Sequence, residues 1–148
     1  MTGQELLEKI KLEKEKLIKE GKIKKEKPLP EIKEEEIPFE IPEDWVWCRL
    51  GEVSIVGSGV TPKKEFFDIS GIPFFRISDM NLEINNTHMN YTESYLKESY
   101  NKNTIEKPSV IFPKNGGAIF TNKRRIINKK CMVDLNTGFV TPILFDLK

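Results

Sequence analysis

The chain has 148 residues, of which 38% are hydrophobic and 32% charged, with a formal net charge of +1. That length carries one domain with a real core plus an appendage. The near-balance of charge argues against a purely electrostatic nucleic-acid binder but leaves room for a local cationic cluster. No apolar run approaches the ~20 residues that span a bilayer, so no membrane contact is expected. The charged N-terminal residues hold no secretory apolar core. Cys48 and Cys131, with the single histidine His88, fall short of the about four ligands of a structural zinc site, so no metal is expected. Both cysteines read as reduced residues of a cytoplasmic protein, and His88 as an exposed loop residue.

The segment from about Gln4 to Lys25 is rich in Glu, Lys, Leu and Ile and reads as one helix. Leu6, Leu7, Ile10, Leu17 and Ile18 share one broad side. Leu6, Ile10 and Leu17 carry coiled-coil spacing, interrupted by Glu13. A helix this short and charged is marginal alone, so these residues require a partner helix, in this chain or another. Pro28 and Pro30 then end the helix. Residues 26–42 hold four prolines and an acidic run, which makes an extended, semi-rigid linker.

From Trp45 the texture changes to short β-type runs. Trp45–Leu50 alternates, Gly51–Val56 leads to a glycine turn at Gly57-Ser58-Gly59, and Ile72–Ile77 is a strand before the polar turn Ser78–Asn81. Tyr91–Asn101 reads as a short helix of ambiguous register. Ser109–Phe112 and Gly117–Thr121 read as a hairpin around Pro113–Gly116. Cys131–Leu135 and Phe139–Asp146 are two further β-type runs. The fold class is therefore mixed α/β (α+β), strand-rich, behind an N-terminal coiled-coil-type helix. The expected organisation is a helix over 1–25, a linker over 26–42 and a β-rich domain over 43–148.

Catalytic signatures are missing. There is no GxxxxGK[ST] loop, no GxGxxG and no GxSxG elbow. A histidine-based triad would have to use His88, which has no visible partner. No catalytic residue is assigned, and a free-standing enzyme is poorly supported. Against this background the stretch Phe112–Ile126, FPKNGGAIFTNKRRI, stands out. Gly116 and Gly117 permit a tight turn or a close backbone approach. Around them lie Lys114, Asn115, Asn122, Lys123, Arg124 and Arg125. Lys and Arg neutralise phosphates, while Asn and Arg can pair two-pronged with adenine and guanine edges. A solvated basic hairpin is the plainer alternative.

Several segments in order resemble one family, the specificity subunit of type I restriction-modification systems. Leu6–Lys25 is similar to its spacer helix, and Ile37–Val53 (IPFEIPEDWVWCRLGEV) to the entry of a target-recognition domain. GSGVTPKKEFF (Gly57–Phe67) and GIPFFRISDMN (Gly71–Asn81) resemble its glycine–Thr–Pro segment and its strand with an SDM turn. FPKNGGAIFTNKRRI and VDLNTGFVTP (Val133–Pro142) match a subset of the family. Val60 is an addition relative to many relatives. Relatives also continue well past the position of Lys148, so a partial recognition domain is expected.

The resemblance implies a non-catalytic subunit that reads double-stranded DNA. It implies partner modification and restriction subunits, which hold S-adenosylmethionine, ATP and Mg; no cofactor is assigned to this chain. Phosphate contact is expected from Lys63, Lys64, Lys114, Lys123, Arg124 and Arg125, which would set register without reading sequence. Asn81, Asn115, Asn122 and Asn136 can reach base edges or merely form turns. Ser78 and Asp79 can cap their loop or accept from cytosine. Thr61 can touch a phosphate or shape the turn before Pro62. Arg76 is a groove-facing candidate or a surface arginine. The rings of Trp45, Trp47, Phe66, Phe67, Phe74 and Phe75 are expected in the core rather than as base-stacking platforms. The competing reading is a non-enzymatic interaction module whose charged helix recruits a partner or a second copy of itself.

Overall fold

Thr2 opens the first helix, α1 (Gly3–Lys19), with a capping box: Glu5 N donates to Thr2 Oγ1 and Thr2 N to the Glu5 carboxylate. The helix stops at Lys19 rather than near Lys25, and Gly21 is the cause. Its φ of +70° lies in the left-handed region. Its N–H donates to Ile18 O at 3.0 Å and that of Lys22 to Leu17 O at 2.9 Å, the paired bonds of a Schellman cap. The computed structural model describes residues 1–144, and two compact units make up the chain: 1–55 with 142–144, and 56–141.

In the first unit Leu7, Ile10 and Leu17 of α1 are buried, and Leu6 is half-buried. The helix packs against a short second one, α2 (Leu50–Val53). Of the run Trp45–Leu50, expected as β-type, Trp45–Arg49 has no regular structure and Leu50 begins α2; Trp45, expected in the core, is exposed. Lys14 ties the unit together. Its ammonium donates to the carbonyls of Gly51 and Ser54, and to Glu26 at 3.0 Å. Arg49 braces the linker with a two-pronged bond to Glu36 at 2.7 and 2.8 Å and donates to the carbonyls of Pro30 and Glu31. Residues Glu34–Glu36 form a single 3-10 turn within it.

The second unit is built on two four-stranded sheets. Its strands are β1 (Ser54–Ser58, whose last three residues belong here), β2 (Phe67–Asp68), β3 (Ile72–Phe75), β4 (Tyr95–Leu96), β5 (Ser109–Pro113), β6 (Arg125–Ile127), β7 (Met132–Val133) and β8 (Thr137–Pro142). One sheet runs β1-β8-β5-β6 and the other β2-β4-β3-β7. Most pairings are antiparallel; β3 and β7 run parallel. Adjacent residues of β3 face different cores. Phe75 joins Met80, Ile111, Ile127, Cys131 and Val133, whereas Ile72 and Phe74 join Leu96, Tyr100 and Met132. A strand covered on both faces reads as the unbroken apolar run IPFF.

The structure corrects four further expected elements. Tyr91–Asn101 contains β4 and turns instead of a helix. The run Gly117–Thr121 is not a hairpin arm: Gly116–Thr121 is a 3-10 helix, and the arm pairing with β5 is Arg125–Ile127. Gly57-Ser58-Gly59 is not a turn. Gly57 and Ser58 finish β1, and Gly59 N donates to Thr137 O at 3.0 Å. A Cβ at Gly59 would collide with the carbonyls of Val133 and Asp134, so close backbone packing demands glycine there. The last β-type run, expected through Asp146, ends as a strand at Pro142, and residues 145–148 lie outside those described.

Candidate nucleic-acid interface

Three loops of the second unit meet around the end of β5. The first follows β5 and carries Lys114, Asn115 and the 3-10 helix. The second is the turn between β7 and β8, with Asp134 and Asn136. The third is the 3-10 turn Ile77–Asn81 after β3. Direct hydrogen bonds join them. Lys114 N donates to Asn136 O at 2.9 Å, and Asn115 Nδ2 to Asn136 Oδ1 at 3.2 Å. The Lys123 ammonium donates to Asn81 Oδ1, and Arg125 Nη2 to Met80 O at 2.9 Å.

Asp134 is the hub that sequence reasoning passed over. Its Oδ1 accepts from Asn136 N at 3.0 Å and Thr137 Oγ1 at 2.8 Å, an Asx-type turn. Its Oδ2 accepts from Ile77 N at 3.3 Å. One carboxylate thus fixes two of the three loops. The Ile77–Asn81 turn is held a second time through Asn85, fully buried at 0% exposure. Asn85 Nδ2 donates to Asp79 O and Tyr91 O, and its Oδ1 accepts from Asn90 N and Tyr91 N. An Asn whose four bonding positions all go to backbone is a loop former.

Of the predicted contact residues, Lys114, Asn115, Asn122, Lys123, Arg124, Arg125, Asn81 and Asn136 come together in or beside this cluster. Asn115, Asn122, Arg124, Asn81 and Asn136 are exposed, while Lys114, Lys123 and Arg125 are half-buried. Arg125 also donates to Arg124 O at 2.8 Å, so it braces the loop, whereas the Arg124 guanidinium has no hydrogen-bond partner among the described residues. None of these cations is in an ion pair among the described residues. The cluster belongs to the longest carboxylate-free stretch of the domain: between Glu106 and Asp134 the chain has seven Lys and Arg and no Asp or Glu. Gly116 and Gly117 have open space where a Cβ would stand, so their role is conformational, with Gly116 at φ +64°.

The other predicted residues divide. Ser78 is exposed on the Ile77–Asn81 turn. Asp79 is half-buried, accepting from Arg76 N at 2.8 Å and Thr92 Oγ1 at 3.2 Å, and so caps that turn. Arg76 is exposed but engaged: it donates to Ser94 Oγ and lies 5.5 and 5.2 Å from the ring centres of Phe67 and Phe74. Thr61 follows Val60, which bridges to Asp134, and is exposed near the second loop. Lys63 and Lys64 are exposed before β2, and no side-chain hydrogen bond among the described residues links them to the cluster. Cys131 is wholly buried, which pushes its thiol up to about 12, so it stays protonated as a core residue.

Fold and loop cluster together define a two-sheet mixed α/β domain with a cationic, amide-rich loop face. A family model described as the type I restriction modification DNA specificity domain matches residues 42–135, and the chain belongs to that family. It is 48% identical over 84 residues to the specificity subunit of the type I restriction enzyme EcoAI from Escherichia coli, covering 57% of this chain and 14% of that protein. It is 57% identical over 51 residues to the corresponding EcoEI subunit from Escherichia coli, covering 34% of this chain and 9% of that one. The chain therefore spans only a small part of these relatives' length. Among solved structures, the HsdS subunit from Thermoanaerobacter tengcongensis shares the fold with a TM-score of 0.59 at 18% identity, over 75% of this chain and 26% of that one. A chain from a structure concerned with complex assembly and conformational transition of the type I R-M system gives 0.59 at 18% identity, over 95% and 32%.

Proposed function

We propose that this chain is part of a specificity subunit that reads double-stranded DNA in the cytoplasm for a type I restriction-modification complex. It directs partner modification and restriction subunits and carries out no catalysis itself. S-adenosylmethionine, ATP and Mg belong to those partners. The observation that carries this reading is the loop cluster: cations with no carboxylate partner among the described residues and exposed amides, held in fixed relation by Asp134 and by direct loop-to-loop bonds. Exposed cations serve phosphates, and amides beside them serve base edges.

The competing reading, a helix that recruits a partner, loses its main support. The apolar residues Leu7, Ile10 and Leu17 are already buried within the described chain. The test is duplex DNA binding by the full-length chain, followed by fluorescence anisotropy. Arg124→Ala is the informative change, because Arg125 also holds Met80 O and its loss would disturb the loop. The expected result is a roughly tenfold loss of affinity, the order of one lost charge-assisted contact. Unchanged affinity would overturn the assignment of this cluster.

A further inference from the structure

Phe120 is the most exposed aromatic residue described, at 91%, in a chain whose other phenylalanines are mostly buried or half-buried. It occupies the end of the 3-10 helix between β5 and β6, with Ile119 beside it at 48%. Solvent exposure of a ring this large is costly in the free protein, and the loop is built to hold it there. Gly116 at φ +64° and Asn122 at φ +51° bend the chain in left-handed conformations on either side. Inside the bend Thr121 Oγ1 donates to Ala118 O at 2.6 Å and Asn122 N to Ile119 O at 3.1 Å. Flanking it along the chain are Lys114, Asn115, Asn122, Lys123 and Arg124, with no carboxylate between Glu106 and Asp134.

Resting on the DNA-reading function above, we propose that Phe120 inserts its ring between two successive base pairs of the bound duplex. A protein partner would meet the ring with an apolar pocket, and nothing in the surrounding cations and amides complements one. A duplex supplies both requirements at once, phosphates for the cations and an opened base step for the ring. Apolar wedges flanked by cations are how proteins unstack and kink DNA. Easily opened pyrimidine–purine steps would then be favoured at that position, a preference exerted without any base-edge contact.

The probe is a duplex selected from a random-sequence pool by the wild-type full-length chain, then synthesised with 2-aminopurine at each adenine in turn. In the wild-type complex one position brightens as its stacking is lost. Phe120→Ala abolishes that rise and lowers affinity about tenfold, while Phe120→Trp retains it. Arg124→Ala weakens binding but retains the rise at saturating protein. Because Phe120 is exposed, Phe120→Ala is expected to leave the thermal melt unchanged, which separates insertion from folding. A wild-type complex with no brightened position, or a rise that survives Phe120→Ala, overturns the insertion while leaving the DNA-reading function intact. Failure of the wild-type chain to enrich any duplex overturns that function, and the insertion with it.

Discussion

Asn85 shows what the fold demands of a single side chain. It is sealed from solvent, yet all four of its hydrogen-bonding positions are used on the backbone of residues 79–91. Truncation would orphan two carbonyls and two amides in a buried place, at about 1–3 kcal/mol for each group left unpaired. Asn85→Ala is expected to destabilise the protein by roughly 3 kcal/mol or more, seen as a lower midpoint in chemical denaturation. Asn85→Asp keeps the acceptor but loses both donated bonds, so it should not rescue. Glu36 offers a second test. The two-pronged Arg49 bond, helped by Lys33 N–H, holds its carboxyl at about 2. A carboxyl lowered on folding supports the folded state above its ordinary range, about 4.3. That support is lost as pH falls from there through about 2. A carboxyl-detected NMR titration should place its midpoint near 2, and Arg49→Ala should move it up toward the ordinary range, with the Lys33 N–H bond still holding it somewhat below. The roles of both residues lay beyond sequence reasoning, because an Asn in a polar loop and a Glu in an acidic run look like any other until their partners are in place.

At the scale of elements, what was legible followed local chemistry and what was not followed distant pairing. The helix α1 and the strand β3 could be read from periodicity and from an unbroken apolar run. The helix end was misplaced because Lys22–Lys25 continue a helix-favouring composition past Gly21, whose left-handed backbone closes the cap. Gly21→Ala should therefore cost about 1 kcal/mol, or roughly 3 °C in Tm by calorimetry. No atom stands within 4 Å of the added Cβ, so the loss reports backbone strain alone. Gly21→Asn, which tolerates that region, should cost less. The β5 partner was misassigned for a related reason. GAIFT has strand-like residues, but the bends at Gly116 and Asn122 wind it into a 3-10 turn and deliver Arg125–Ile127 to the sheet. The two-residue strand β4 exists only because β2 and β3 flank it on both sides. The parallel pairing of β3 with β7 joins segments nearly 60 positions apart, which no local pattern announces.

For the whole molecule the question is how far a DNA footprint can extend when the net charge is only +1. Affinity for a duplex falls with salt in proportion to the phosphates neutralised, with a slope of about −0.9 per contact in a plot of log K against log salt. A chain without overall excess charge must draw that slope from local clusters, so each cluster can be weighed by deletion. The loop cluster contains Arg124, with no ion-pair partner among the described residues, while Lys63 and Lys64 lie before β2 and, among those residues, make no side-chain hydrogen bond to it. Arg124→Ala is expected to make the slope shallower by about 1 if its contact is a phosphate. If Arg124 reads a base instead, the slope changes little and one position of the selected sequence loses its preference. The double change Lys63→Ala with Lys64→Ala should remove about 2 from the slope if the duplex reaches that far. All three lysine and arginine side chains are exposed at the surface, so none of these deletions should disturb folding. A slope unchanged by the lysine pair would confine the footprint to the three joined loops and the Phe120 tip.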